Sequence, residues 1–169
     1  PGERVLDVGC GFGSTSRAIA ARGAEVHGID ISAPMIELAR RRASEAGVDV
    51  AFAVGDAQED DLGGPYDAVA SRLGVMFFAD PVRAFRNFAR ATRPGGRLVF
   101  VCWQTLDRNP WMSAASEVLR SLIENPPPPS PPGAGPFAFG EVEFLERVLT
   151  DAGWTGTTIA PFETSVHLG

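Results

Sequence analysis

The sequence predicts an α/β fold, a doubly wound and mostly parallel sheet with helices on both faces. Three observations predict it. Short apolar runs alternate with segments of helical spacing over most of the chain, the pattern of repeated β-α units joined by right-handed crossovers. The connections between these units are short. A bare turn, GCGFG at residues 9–13, closes the first run and opens the first helix, and such a turn lets a ligand approach the backbone closely.

The elements follow in order. RVLDVG (4–9) is a short apolar run ending in glycine, hence a buried strand. Helical spacing runs from Ser14 to Arg22, with Ser14 or Thr15 able to cap it and Gly23 to stop it. EVHGID (25–30) alternates and is the second strand. Ser32 caps the next helix, Pro34 sits in its first turn, and Met35, Ile36, Ala39 and Ala43 form its apolar side up to Gly47. VDVAFAVGD (48–56) and YDAVASRLG (66–74) are the third and fourth strands. Asp80-Pro81 opens a helix in which Val82, Phe85 and Phe88 share a face, and RPGG (93–96) stops it. RLVFVCW (97–103), nearly continuously apolar, is a fifth strand covered on both faces.

Beyond Trp103 the rhythm changes. Asn109-Pro110 starts a helix that runs to about Ile123. The stretch PPPPSPPGAGP (126–136) cannot contribute to a core, so a proline-rich insert is expected at about 125–139, as a connector or a cover. Glu141 to Ala152 is a helix closed by Gly153, and Trp154 to Phe162 is expected to form a sixth strand.

The 169 residues, 44% hydrophobic and 21% charged, suit one domain with its own core. The chain opens on Pro1, three residues before its first strand, and gives the impression of a domain trimmed at both ends. No run is long and apolar enough to span a bilayer. No membrane is therefore expected as partner, and a net charge of -6, which repels polyphosphate, argues against nucleic acid as well. Two cysteines are too few for a disulfide framework and fit buried thiols in a reducing cytosol, so a cytoplasmic location is expected. Two histidines without a cysteine cluster give no metal-ligand spacing. All fifteen basic residues are arginine, which excludes a lysine Schiff base, a lysine general base and a P-loop lysine.

Ligands of doubly wound sheets bind beyond the carboxyl ends of the strands, near the reversal of strand order. The glycine loop, Asp30, Asp56 and Ser71 all stand at such ends, so four distant segments converge on one crevice. A dinucleotide site would need glycine at the first, third and sixth positions. Counted from Gly9, the sixth position is Ser14. Asp7 also opposes a pyrophosphate, because a fixed carboxylate weakens the positive potential of a helix N-terminus. A ligand with an ammonium, a carboxylate and a sulfonium suits these residues better. Asp7 can hold its cationic end, and backbone N–H groups near Ser14 and Thr15 its carboxylate. Asp30 can accept both ribose hydroxyls, Asp56 the amine of a base, and Ile31 and Met35 can enclose an adenine. Each acidic residue also has a structural alternative: Asp7 satisfied by backbone, Asp30 assisting a helix cap, Asp56 forming a turn.

VLDVGCGFG, GID, GDAQ, YDAVASRLGVMFF and TRPGGRLVF, in this order, resemble a class I S-adenosylmethionine-dependent methyltransferase. CWQTLDRNPW is similar to a bacterial small-molecule subgroup related to the quinone-biosynthesis methyltransferases. The resemblance implies a Rossmann-like sheet and S-adenosyl-L-methionine as cofactor. It places Asp7, Gly9, Gly11 and Gly13 at the methionine end, Asp30 and Ile31 at the ribose and adenine, and Asp56 and Ala57 at the adenine edge. Thr15, Met35 and Ser71 complete the expected cofactor contacts. Acceptor contacts would begin at Ser71 and Arg72, and Trp103, Gln104 and Trp111 could wall a pocket for a small, apolar or aromatic acceptor, or simply pack in the core. The implied reaction is direct in-line methyl transfer, for which no catalytic residue is named. A nucleotide-dependent oxidoreductase and a non-catalytic module that keeps the cofactor site remain as alternatives.

Overall fold

The computed structural model describes residues 2–126 and 135–165. Five strands, β1 (Arg4–Val8), β2 (Glu25–Asp30), β3 (Ala51–Val54), β4 (Tyr66–Arg72) and β5 (Thr92–Val101), form one sheet in the order β3-β2-β1-β4-β5. Every pairing is parallel. The order reverses between β1 and β4, so the crevice expected of such sheets opens beyond their carboxyl ends.

Helices α1 (Ser14–Ala20) and α2 (Ala33–Glu45) cover one face. Val5 and Val26 pack there beside Ile19 and Ala20, and Phe52 packs beside Ile36, Ala39 and Ala43. Helices α3 (Pro81–Ala91) and α5 (Val142–Asp151) cover the other face, where Leu6, Val8 and Val69 meet Phe85, Phe88, Leu145, Val148 and Leu149. Phe85 and Phe88 are fully buried, and burying each contributes about 1.5–3 kcal/mol. Asp80 starts α3 by accepting a hydrogen bond from the Arg83 N–H at 2.9 Å, and Pro81 occupies the first turn, where its missing donor costs nothing.

Several expectations change. The fifth strand is not covered on both faces, since Val99 and Val101 are exposed. The third strand is only Ala51–Val54, because the chain leaves the sheet at Gly55 toward the crevice. RPGG does not separate helix from strand. Thr92 already pairs with Tyr66, Arg93 to Gly96 bulge outward, and pairing resumes at Ala68 and Arg97. A Cβ added to Gly96 would crowd the Thr92 methyl and lie 3.0 Å from the Arg93 and Asp67 carbonyl oxygens, so the bulge favours glycine there. The start of α1 is capped by neither Ser14 nor Thr15; Gly13 holds that place in a left-handed conformation.

Trp154–Phe162 forms no strand. Trp154 and Ile159 pack against the core, and the Trp154 indole donates to the Phe85 carbonyl at 3.0 Å. A groove of about 810 Å³ separates this segment from β5, so its backbone has no ladder to join. Alternating apolar residues describe a strand only where a partner lies within hydrogen-bonding distance. Helix α4 (Pro110–Leu122) forms as expected but contains no buried residue. Residues 127–134, the centre of the proline-rich insert, lie outside the described residues. After it, Ala138 and Phe139 sit in a short 3-10 turn and are buried, with Phe139 edge-on to Phe85 at 5.8 Å. Among the described residues no helix is long and apolar enough to cross a membrane.

Candidate functional site

The loop between β1 and α1 is shaped by close approach. Gly9 has φ +63°, and a Cβ added there would lie 2.8 Å from the Gly74 Cα. The glycine loop and the chain leaving β4 therefore touch backbone to backbone. Gly13 is crowded by Phe52, whose Cζ would be 2.7 Å from an added Cβ. Gly11 differs. With φ +52°, its added Cβ would meet nothing nearer than the Met35 sulfur at 3.9 Å. Gly9 and Gly13 let parts of the protein meet, while Gly11 leaves room for something else.

Beneath this loop lies Asp7, only 1% exposed. It faces α1, and its Oδ2 accepts a hydrogen bond from the Ser16 hydroxyl at 2.5 Å. Its Oδ1 is buried without a hydrogen-bond partner among the described residues. Burial pushes the Asp7 carboxyl up to about 6, against the opposing pull of Ser16 and Arg72. A buried acceptor left without a partner is costly. Burial likewise pushes the neighbouring Cys10 thiol up to about 12, so it stays protonated near neutral pH.

Asp30 ends β2 and binds two backbone amides: the Gly11 N–H donates to Oδ2 at 2.8 Å and the Ser32 N–H to Oδ1 at 2.9 Å. It thus fixes the loop tip and holds the N–H of Ser32, the residue that starts α2, whose own side chain does not make the expected capping bond. Ile31, 74% exposed, and Met35 lie beside it as an uncovered apolar surface. Beyond β3, Asp56 accepts from the Gln58 N–H through Oδ1 at 2.9 Å, and its own N–H donates to Asp60 at 2.8 Å. Ala57 is buried. Its carbonyl and that of Asp60 accept from the Asn87 side-chain amide at 3.0 and 2.9 Å. Asn87 went unread in the sequence. Its signal was a lone amide among Ala84, Phe85, Phe88 and Ala91 on the buried side of α3.

On the other side of the reversal, Ser71 is buried and its hydroxyl donates to the Val8 carbonyl at 2.7 Å. It ties the ends of β4 and β1 together, so its proton is already committed. Arg72 is exposed and its Nε donates to the Thr15 hydroxyl at 3.1 Å. Leu73 then adopts φ +64°, a left-handed conformation that costs a branched residue on the order of 1–3 kcal/mol and gathers at functional sites. After β5, Trp103 and Trp111 meet edge to face at 5.7 Å. The Trp103 N–H donates to the Met76 sulfur at 3.2 Å, and the Gln104 carbonyl accepts from the Asn109 amide at 3.1 Å.

Asp56, Asp30, the glycine loop, Arg72 and Trp103 thus stand in a row at the carboxyl ends of β3, β2, β1, β4 and β5. His27 stands apart from it: its ring meets the Tyr66 hydroxyl at 3.1 Å and Glu25 at 3.1 Å. No group of three or more His, Cys, Asp or Glu could hold a metal ion among the described residues.

Residues 5–96, more than half of the chain, match the family described as a methyltransferase domain. The chain belongs to that family. This methyltransferase domain is 40% identical over 128 residues to the ubiquinone biosynthesis O-methyltransferase of Aeromonas salmonicida (strain A449), a match covering 72% of the chain and 52% of that protein. It is 40% identical over 111 residues to the protein of the same name from Alkalilimnicola ehrlichii, covering 64% of the chain and 44% of that protein. The chain spans about half the length of these curated relatives. Among solved structures, phosphoethanolamine N-methyltransferase 2 of Haemonchus contortus, in complex with S-adenosyl-L-methionine, matches with a TM-score of 0.63 and 27% identity over 90% of this chain and 33% of that one. The methyltransferase domain therefore has the expected α/β, Rossmann-like fold.

Proposed function

We propose that this methyltransferase domain binds S-adenosyl-L-methionine and transfers its methyl group to a small, apolar or aromatic acceptor. The observation that carries this reading is the buried, unpartnered Oδ1 of Asp7 beneath the open cradle at Gly11. When bound, the cofactor supplies a methyl group already activated by a positive sulfur. Asp7 would face its ammonium, and the glycine loop would carry its amino-acid end. Asp30 would take the ribose through the lone pairs left after its two amide bonds, and Ile31, Met35, Asp56 and Ala57 would border the adenine. Ser71, whose hydroxyl donates to the Val8 carbonyl, keeps the crevice walls together beside the cofactor.

The chemistry then needs an acceptor in line with the methyl carbon and little water. Proximity and orientation of this kind can lower a barrier by about 7–11 kcal/mol. Trp103, Gln104 and Trp111 follow β5, at the end of the row where that acceptor would lie, and the edge-to-face indole pair offers an apolar corner. His27 and the buried Tyr66 hydroxyl are bonded to each other, so no general base is assigned to them. The O-methyltransferase names of the bacterial relatives favour an oxygen acceptor.

S-adenosylhomocysteine should raise the melting temperature of the free protein, because a ligand that binds only the native state stabilises it by mass action. NAD at the same concentration should not. A shift with NAD alone removes the methyltransferase reading in favour of an oxidoreductase. Binding without turnover across a panel of phenolic acceptors would leave a cofactor-binding module. Replacing Asp30 with Ala should weaken S-adenosylhomocysteine by about 1.5–3 kcal/mol through loss of charge-assisted ribose contacts. Unchanged affinity by calorimetry in the folded Asp30→Ala protein would withdraw the ribose assignment.

A further inference from the structure

The end of β4 carries a cation with a specific placement. Strand alternation puts Arg72 on the same face as Ala68 and Ala70, the face covered by α1. On β1 the same face carries Val5 and then Asp7. The two charged residues grip adjacent positions in the first turn of α1: Arg72 donates to the Thr15 hydroxyl and Asp7 accepts from the Ser16 hydroxyl. They do not form an ion pair with each other. Asp7 keeps one oxygen unpartnered, and the Arg72 Nη groups make no hydrogen bond or ion pair among the described residues. The strained Leu73 follows at once, its N–H bonded to the Val101 carbonyl at 2.9 Å, and fixes the direction in which the chain leaves Arg72. The arrangement presents one anion and one cation, both held and near enough to attract but not paired directly, on either side of one helical turn. A zwitterion complements it.

We propose that Arg72 is the counter-ion for the carboxylate of the cofactor's amino-acid end, rather than an acceptor contact. With Asp7 opposite the ammonium, it makes the site select adenosine thioethers that carry an amino-acid group over those that lack one. The inference rests on the cofactor reading above but adds a residue and a selectivity to it. Because Arg72 is exposed, its attraction is screened by salt, so affinity for the zwitterionic ligand should fall as ionic strength rises.

Calorimetry on the chain with two probes tests this: S-adenosylhomocysteine, and 5′-methylthioadenosine, which has the same nucleoside and no amino acid. Arg72→Gln should weaken S-adenosylhomocysteine at least tenfold and leave 5′-methylthioadenosine within twofold of wild type. Arg72→Lys should recover part of the loss. An equal loss for both probes would make Arg72 a structural residue and overturn the proposal, as would unchanged S-adenosylhomocysteine affinity in Arg72→Gln protein that melts normally. Wild-type protein that binds neither probe would instead remove the cofactor reading, and this proposal with it.

Discussion

Replacing Asp7 with Asn should stabilise the ligand-free protein at pH 7.5 and weaken its cofactor. The Asp7 carboxyl sits at about 6 in the folded protein against an ordinary 3.8, with burial as the largest cause. Between those two values the folded state holds a proton that the unfolded state has released. Stability therefore falls as pH rises through this window and levels off above about pH 6. The difference corresponds to roughly 3 kcal/mol of strain at neutral pH, an upper value, because Asn also gives up the charged acceptor of the Ser16 hydroxyl. Urea denaturation should show Asp7→Asn more stable than wild type at pH 7.5, with the advantage shrinking toward pH 4. A positive ligand group beside Asp7 favours its ionised form. Binding of S-adenosylhomocysteine should therefore weaken in wild type below about pH 6 and release protons there, as read by calorimetry in buffers of different ionisation enthalpy. A variant that is less stable than wild type at pH 7.5, or a flat affinity profile in wild type, would show that Asp7 is a satisfied structural group.

Gly9→Ala should be the most damaging small substitution in the loop. The new methyl would lie 2.8 Å from the Gly74 Cα, and backbone cannot move aside as a flexible side chain can. The residue must also keep φ +63°, where a Cβ costs roughly 1–2 kcal/mol. Together with overpacking of about 1–3 kcal/mol, a loss of several kcal/mol in urea denaturation is expected. Gly11→Ala carries the same kind of backbone penalty but meets only open space up to the Met35 sulfur at 3.9 Å, so it should lose cofactor affinity more than stability. If the two variants are equally stable, close contact with Gly74 is not what requires Gly9.

The sheet was legible because its strands are apolar runs closed by glycine or aspartate, and because α2 and α3 announce themselves with proline in the first turn. The row of polar positions was legible for the same reason: strand ends can be counted once strands are found. What sequence could not show was whom each side chain serves. Ser71 reads as a hydroxyl at the mouth of a crevice, yet its proton goes to a carbonyl one strand away. Asp30 reads as a ribose acceptor, and in three dimensions it also organises the loop and the start of α2. The segment 154–162 has the composition of a strand, but pairing depends on distance from β5, which no local pattern contains. Asn87 acts on a loop about thirty residues away, so only the packed structure gives it a role.

The sheet order has a consequence for how the site can change. From β3 to β5 there are four steps between neighbouring strands, each about 4.8 Å, and so roughly 19 Å from the first polar position to the last. Backbone hydrogen bonding sets these intervals, and side chains have no part in them. The sheet is in effect a ruler with five marks. A point substitution can exchange the group standing at a mark, but the distance between marks changes only by adding or losing a strand. Accommodating a longer or shorter acceptor is therefore a matter for the loops and helices beyond β5, where the ruler ends.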